Sequence, residues 1–471
     1  MKENPANRTS YPYLKAIAWS YVGDKSMGVW GPRIATASML ILVALAGLPF
    51  IRSAQAERVF GLTWDRTYVR GLAGPYSVHQ TSDGGFIMSG PGGWVIKTNA
   101  AGMLRWEKRI VPQGYLDSNA MVTPTSDGGY VLAGSALPAC CLITGLSAWV
   151  VKLDHTGGVA WSRIYGGPWD ALYSVQQTSD GGYVVMGNTQ NIESVHVFNA
   201  WVLKLDSLGG IEWQKAFPGQ DGYWAEQTSD GGFIMSGTVL ADGKGAAWVV
   251  KLDSSGNTVW QKAFEVAPHS PAYQVHQTSD GGYVVLGQID GRGGAWIFRL
   301  DSESNILWQK SYNGVGSAYP SSIEEMSDHG FIISGRFNPA SLSPQVGLWG
   351  PWLLRLDADG NMVWWKMYGL GNSGLQEVHE TMDGGLIAVG NEATDCCGHL
   401  VWAMKLDSDG RVHGCDVGFP SNATLTDTSA IVASPSATSV DTPFTPSPTD
   451  VTVTRFMIMP QDQCRPKIDT L

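Results

Sequence analysis

Residues 178–187 read TSDGGYVVMG, and this stretch decides the fold. Asp180-Gly181-Gly182 stands between the β-rich runs YSVQQT (173–178) and YVVMG (183–187), and glycine accepts the positive φ that a tight hairpin turn demands. Outward along the chain follow AWVLKLD (200–206) and IEWQKAF (211–217), joined by a second glycine-bearing turn, so one unit supplies four antiparallel strands, a to d. The unit recurs. Its hairpin Asp stands at 83, 127, 180, 230, 280, 328 and 383, its strand-c Trp at 94, 149, 201, 248, 296, 352 and 402, and its strand-d Trp at 64, 106, 161, 213, 260, 308 and 364. Seven four-stranded units with periods of 44 to 55 residues predict an all-β, seven-bladed propeller.

The strand-d series starts one copy early. Trp64 precedes the first Asp-Gly-Gly, and the seventh repeat ends in RVHGCDV without a Trp. The N-terminal strand around residues 62–68 is therefore expected to complete blade seven, closing the ring and leaving no open sheet edge. Spacing also separates two faces. Hairpin Asp to the closing Gly of strand b is 7 residues in every copy, and strand-c Trp to strand-d Trp is 12 in all six copies that have both, whereas strand-b Gly to strand-c Trp varies from 4 to 17. Function is expected on the variable b–c loops or in the channel, because binding groups concentrate on loops held by a rigid scaffold.

Composition narrows the class. Charged residues are 15% of the 471, with 58 Gly and 20 Trp, which disfavours disorder and long helices; 14 of the Trp fall in the two repeat columns, so packing accounts for most of them. A formal charge of -11 disfavours nucleic acid as a partner. Residues 34–51 are almost wholly apolar and are followed by Ala54-Gln55-Ala56, which predicts a signal peptide over 1–56, with Met27 a plausible true start. An uncleaved anchor is the competing reading and the one route to a membrane. The expected location is secreted or cell-surface, as a monomer, with the propeller over 57–417. A Ser/Thr/Pro-rich stalk is expected over 418–450 and a strand-like segment over 451–471.

The TSDGG…WVVKLDxxGNxxWQK pattern over residues 62–410 resembles secreted bacterial and archaeal repeat proteins with quinoprotein-like or WD-like propellers. Leu-Asp-x-x-Gly-x-x-x-Trp is similar to the tryptophan-docking motif of quinoprotein dehydrogenases, a resemblance that implies a Trp packed between neighbouring blades. That family has eight blades and holds pyrroloquinoline quinone with calcium; seven copies are present here. Related repeat families carry names suggesting lectins or glycan hydrolases.

Strand a is expected to line the channel. Four residues before each hairpin Asp stand His79, Thr123, Gln176, Glu226, His276, Glu324 and His379. Glu226, His276, Glu324, His379 and His79 thus form an arc of groups competent for metal or acid–base work, or else a polar column satisfied by the neighbouring strand. His79 and His379 become neighbours once the ring closes. Trp169, Trp224 and Trp349 lie outside the Trp columns and could stack on sugars or fill gaps between blades.

The cysteines occupy like places. Cys140-Cys141 and Cys396-Cys397 sit at equivalent points of two b–c loops, as vicinal disulfides or a pairing across loops, and Cys415 with Cys464 is the economical remaining disulfide. Asp-Ala-Asp-Gly (357–360) and Asp-Ser-Asp-Gly (407–410) lack the later Glu of a calcium loop and are read as turns. No Gly-x-Ser-x-Gly, His-Glu-x-x-His or phosphate loop occurs, so no catalytic residue is assigned. The leading expectation is a module binding a protein or glycan through its variable face. The alternative is an exported enzyme, a quinoprotein-like dehydrogenase or a glycan hydrolase.

Overall fold

The computed structural model describes residues 62–71, 77–139, 145–190, 198–241, 244–289, 294–313, 317–338, 350–368, 373–393 and 399–413, with six short strands between 419 and 462. The signal segment, all six cysteines and Trp349 lie outside the described residues.

Seven antiparallel blades follow the repeats. Blade three is representative: strand a (Ala171–Gln177), b (Tyr183–Gln190), c (Phe198–Leu205) and d (Ile211–Pro218) pair in that order. Blade seven joins Gly374–Glu380, Leu386–Ala393 and His399–Leu406 to the N-terminal strand Trp64–Gly71, with Trp64 opposite Lys405 and Thr67 opposite Trp402. The a strands of successive blades contact one another around the whole circle and form the channel wall. Each hairpin turn is locked alike: the strand-c cation reaches the hairpin Asp, as Lys204 to Asp180 at 2.8 Å and Lys97 to Asp83 at 2.9 Å, with Arg299 and Arg355 in place of Lys in blades five and six.

Blades are glued by the strand-d Trp. Trp106, Trp161 and Trp213 meet the first aromatic of the next blade's strand b (Tyr130, Tyr183, Phe233) edge-on at 5.3 to 5.9 Å, as the docking motif implied. Polar clasps add to this. In every blade but the second, where Pro124 stands, the residue three before the hairpin Asp accepts the N–H beside the previous blade's hairpin, as Gln177 from Ser126 and Gln227 from Ser179, both at 2.7 Å.

Two expectations change. Ring closure completes blade seven but does not abolish edges, because every blade is a separate sheet whose strand d faces outward. Onto those edges the segment expected as a stalk, with the strand-like segment after it, lays six short strands. Phe419–Pro420, Thr424–Asp427, Ile431–Ala433, Ser447–Pro448, Val451–Arg455 and Gln461–Asp462 pair with strand d of blades six, five, four, two, one and seven respectively. A Ser/Thr/Pro-rich chain cannot build a core, yet its extended backbone can satisfy the unpaired N–H and C=O groups of an edge.

Candidate functional site

The channel carries polar chemistry near its hairpin end and aromatic chemistry near its loop end. Near the hairpins, the predicted arc comes together across blades four to seven and one. His276 Nδ1 meets Glu226 Oε2 at 2.8 Å, His379 Nδ1 meets Glu324 Oε2 at 3.1 Å, and the rings of His379 and His79 approach with centroids 4.5 Å apart. The polar-column reading holds as well, since the two carboxylates also accept the next blade's backbone: Gln277 N–H donates to Glu226 at 2.5 Å and Glu380 N–H to Glu324 at 2.8 Å.

Glu377 completes the arc and was missed in the sequence. It lies six residues before its hairpin Asp, in a column otherwise filled by Ser77, Met121, Ser174, Trp224, Gln274 and Ser322. A carboxylate alone among those residues is the signal that could have found it. Its side chain is buried, Oε2 accepts the Val78 N–H at 2.5 Å, and Oε1 lies 3.3 Å from His379 Nε2. The electrostatics follow. Burial disfavours charge on His379, but Glu324 and Glu377 overcome it and raise this imidazole well above its ordinary range. Burial lowers His79 to about 4, only partly offset by Glu377 and reinforced by His379, so the two adjacent rings are shifted in opposite directions.

His79, Glu377 and His379 bring their donor atoms within 4.8 Å of one another, the one such metal-competent cluster among the described residues. Calcium takes six to eight oxygens. A set dominated by imidazole nitrogen does not fit the calcium of a quinone site, so no step is derived through that cofactor. The two Asp-x-Asp-Gly segments are turns, as expected: Asp357 Oδ1 accepts the N–H groups of Asp359 and Asn361, and Asp407 Oδ1 those of Asp409 and Arg411.

Near the loop end, strand a bulges. In blades three, four and five the register slips around Tyr173, Tyr223 and Tyr273, leaving each without a strand-b partner. Bulges re-aim side chains. The three rings line up, with centroids 6.5 Å apart between Tyr173 and Tyr223 and 5.7 Å between Tyr223 and Tyr273. The Tyr273 hydroxyl is held within its own blade, donating to Gln288 Oε1 at 2.8 Å. Sequence reasoning missed this crescent too, although a Tyr seven residues before the hairpin Asp in three successive repeats marks it.

Of the predicted loop aromatics, Trp169 stands beside this end on the connection into blade three, 47% exposed and at φ 74°, a conformation rare and strained for a residue with a side chain. For Trp224 the gap-filling alternative holds: it belongs to strand a of blade four, is buried, and packs between blades four and five with its ring 5.0 Å from that of His276, so the stacking alternative falls away. Trp349 lies outside the described residues.

No protein-family model matches the chain, and no curated protein does. Among solved structures, the chain is similar to a hypothetical protein from Leishmania major at 9% identity, over 50% of this chain and 84% of that one, with a TM-score of 0.29, too low to bear on function.

Proposed function

We propose that this propeller is an exported binding module that takes a glycan across the loop end of its channel, on Tyr173, Tyr223, Tyr273 and Trp169. The observation that carries the proposal is a strand-a bulge that recurs at the same point in blades three to seven and in three consecutive blades turns a tyrosine out of the ladder, Ser321 and Gln376 taking that place in blades six and seven. Sugar rings present C–H faces that pack on aromatic faces, and a curved row of three tyrosines suits several residues of a chain better than a single small molecule. The variable b–c loops of the same end would supply specificity. Export is supported by the apolar segment 34–51 with its Ala-x-Ala site.

The test is a glycan array followed by affinity electrophoresis in the polysaccharides that score. Tyr223→Ala and Trp169→Ala should each weaken binding by about tenfold. Absence of any glycan ligand, or binding indifferent to both substitutions, would overturn the proposal.

A further inference from the structure

We propose that His79, Glu377 and His379 form a zinc-binding site at the junction of blades seven and one. Several polar atoms of these residues are already engaged. His379 Nδ1 is taken by Glu324 at 3.1 Å, which leaves the buried Nε2, facing Glu377, as the atom of that ring that would bind a metal on losing its proton. Glu377 Oε2 is taken by the Val78 N–H, which leaves Oε1. The two remaining donors face each other at 3.3 Å. A zinc ion about 2.0–2.1 Å from tetrahedral ligands sets neighbouring donors about 3.4 Å apart, so this edge of the polyhedron already exists. His79 comes from the adjacent blade, and all three donors lie within 4.8 Å, so a shift of its ring by about 1 Å would complete the set.

Blade-to-blade bonding does not explain the residues chosen. At the position of Glu377, Ser77 and Gln274 accept the next blade's N–H equally well, at 2.7 and 2.8 Å. The second oxygen of Glu377 is thus surplus to that role. A carboxylate on the far nitrogen of a ligating imidazole is the usual outer partner in histidine–zinc sites, and Glu324 occupies that place before any metal arrives. Two imidazoles and one carboxylate favour zinc over calcium or magnesium, and leave a fourth position for water. The site joins the two ends of the ring, and it stands independently of the glycan reading.

The full chain, stripped with a chelator, is titrated with zinc chloride by calorimetry and thermal shift, and cobalt(II) is added to record the visible spectrum. One zinc per chain, a raised melting temperature and a four-coordinate cobalt spectrum are expected. His79→Gln and Glu377→Gln should each weaken zinc by tenfold or more, and Glu324→Gln by about 10- to 100-fold. His276→Gln should leave it unchanged. Gln176 occupies the His79 position in blade three, so His79→Gln is compatible with the fold, and circular dichroism verifies it. Failure to bind zinc overturns the proposal, as does stoichiometric binding that survives both His79→Gln and Glu377→Gln, which would place the ion on the cysteines.

Discussion

The indole of Trp64 lies against Gly102 so closely that a Cβ on that glycine would stand 2.8 Å from the ring. Trp64 belongs to the strand that completes blade seven, and Gly102 to the c–d turn of blade one, so this contact is where the circle closes. It is reinforced by Trp64 Nε1 donating to the Ala100 carbonyl at 2.9 Å and Tyr68 Oη to the Gly102 carbonyl at 2.6 Å. Gly102 also sits at φ 70°, which a side chain resists.

Trp64→Ala should therefore cost about 3–5 kcal/mol, the range for emptying a buried large aromatic. Hydrogen exchange should rise first in Trp64–Gly71 and in its partner His399–Leu406. Uniform loss of protection over all seven blades would show that closure is not a separate weak point.

Gly102→Ala should destabilise by more than ~1 kcal/mol through φ and contact together, whereas Gly84→Ala should cost only the φ term, since nothing lies within 4 Å of its added Cβ. Denaturant midpoints of the two variants rank them directly.

Acid should unlock the hairpins. At Asp83, Asp127, Asp180 and Asp230 burial opposes the charge, but the Thr hydroxyl, the strand-c Lys and a glycine N–H outweigh it and hold each near 2. A depressed folded pKa contributes stability that is present above the unfolded value near 4 and is lost as pH falls toward 2. Melting temperature should drop over that interval, and Asp180→Asn should flatten its share of the drop. An unchanged profile in that variant would remove the hairpin pairs as the cause.

Glu107 behaves in the opposite sense. It is 3% exposed in strand d of blade one (Leu104–Pro112), neither carboxylate oxygen has a hydrogen-bond partner, and burial pushes its pKa up to about 7. The folded state binds this proton more tightly than the unfolded chain, so stability is fully present below about 4.5 and is lost as pH rises through about 7. Gln214 and Gln261 occupy the same place in blades three and four, where each accepts the strand-c Trp Nε1 at 3.2 Å. Glu107→Gln should stabilise by up to about 3 kcal/mol at pH 8 and change little at pH 5, as read from urea unfolding at the two pH values.

One inter-blade clasp is missing by chemistry. Pro124 stands where Gln177, Gln227 and Gln277 accept a hairpin N–H from the preceding blade, and it has no side-chain acceptor. Pro124→Gln should gain about 0.5–1.5 kcal/mol, provided the new amide reaches Ser82. A loss of stability instead would mean that the rigidity of Pro124 matters more than the clasp.

Blade number, strand order, closure by the N-terminal strand and the packing of both Trp columns were legible in the sequence. Each of these is a local pattern repeated seven times, and a four-stranded meander of alternating residues with glycine turns has few other ways to bury its faces. The arc through Glu226, His276, Glu324, His379 and His79 was legible for the same reason, since a fixed offset from each hairpin becomes a fixed height in the channel. Tertiary structure alone decided the rest. Glu377 reaches the Val78 N–H and the neighbouring His79 only because residues 299 apart, 78 and 377, meet when the circle closes, and the tyrosines leave the ladder only because strand a slips by one residue in its pairing. Trp224 went inward because a strand position, not side-chain type, sets the face a residue occupies. The Ser/Thr/Pro-rich tail found partners because open backbone edges accept any extended chain, a property of hydrogen-bond geometry that composition does not encode.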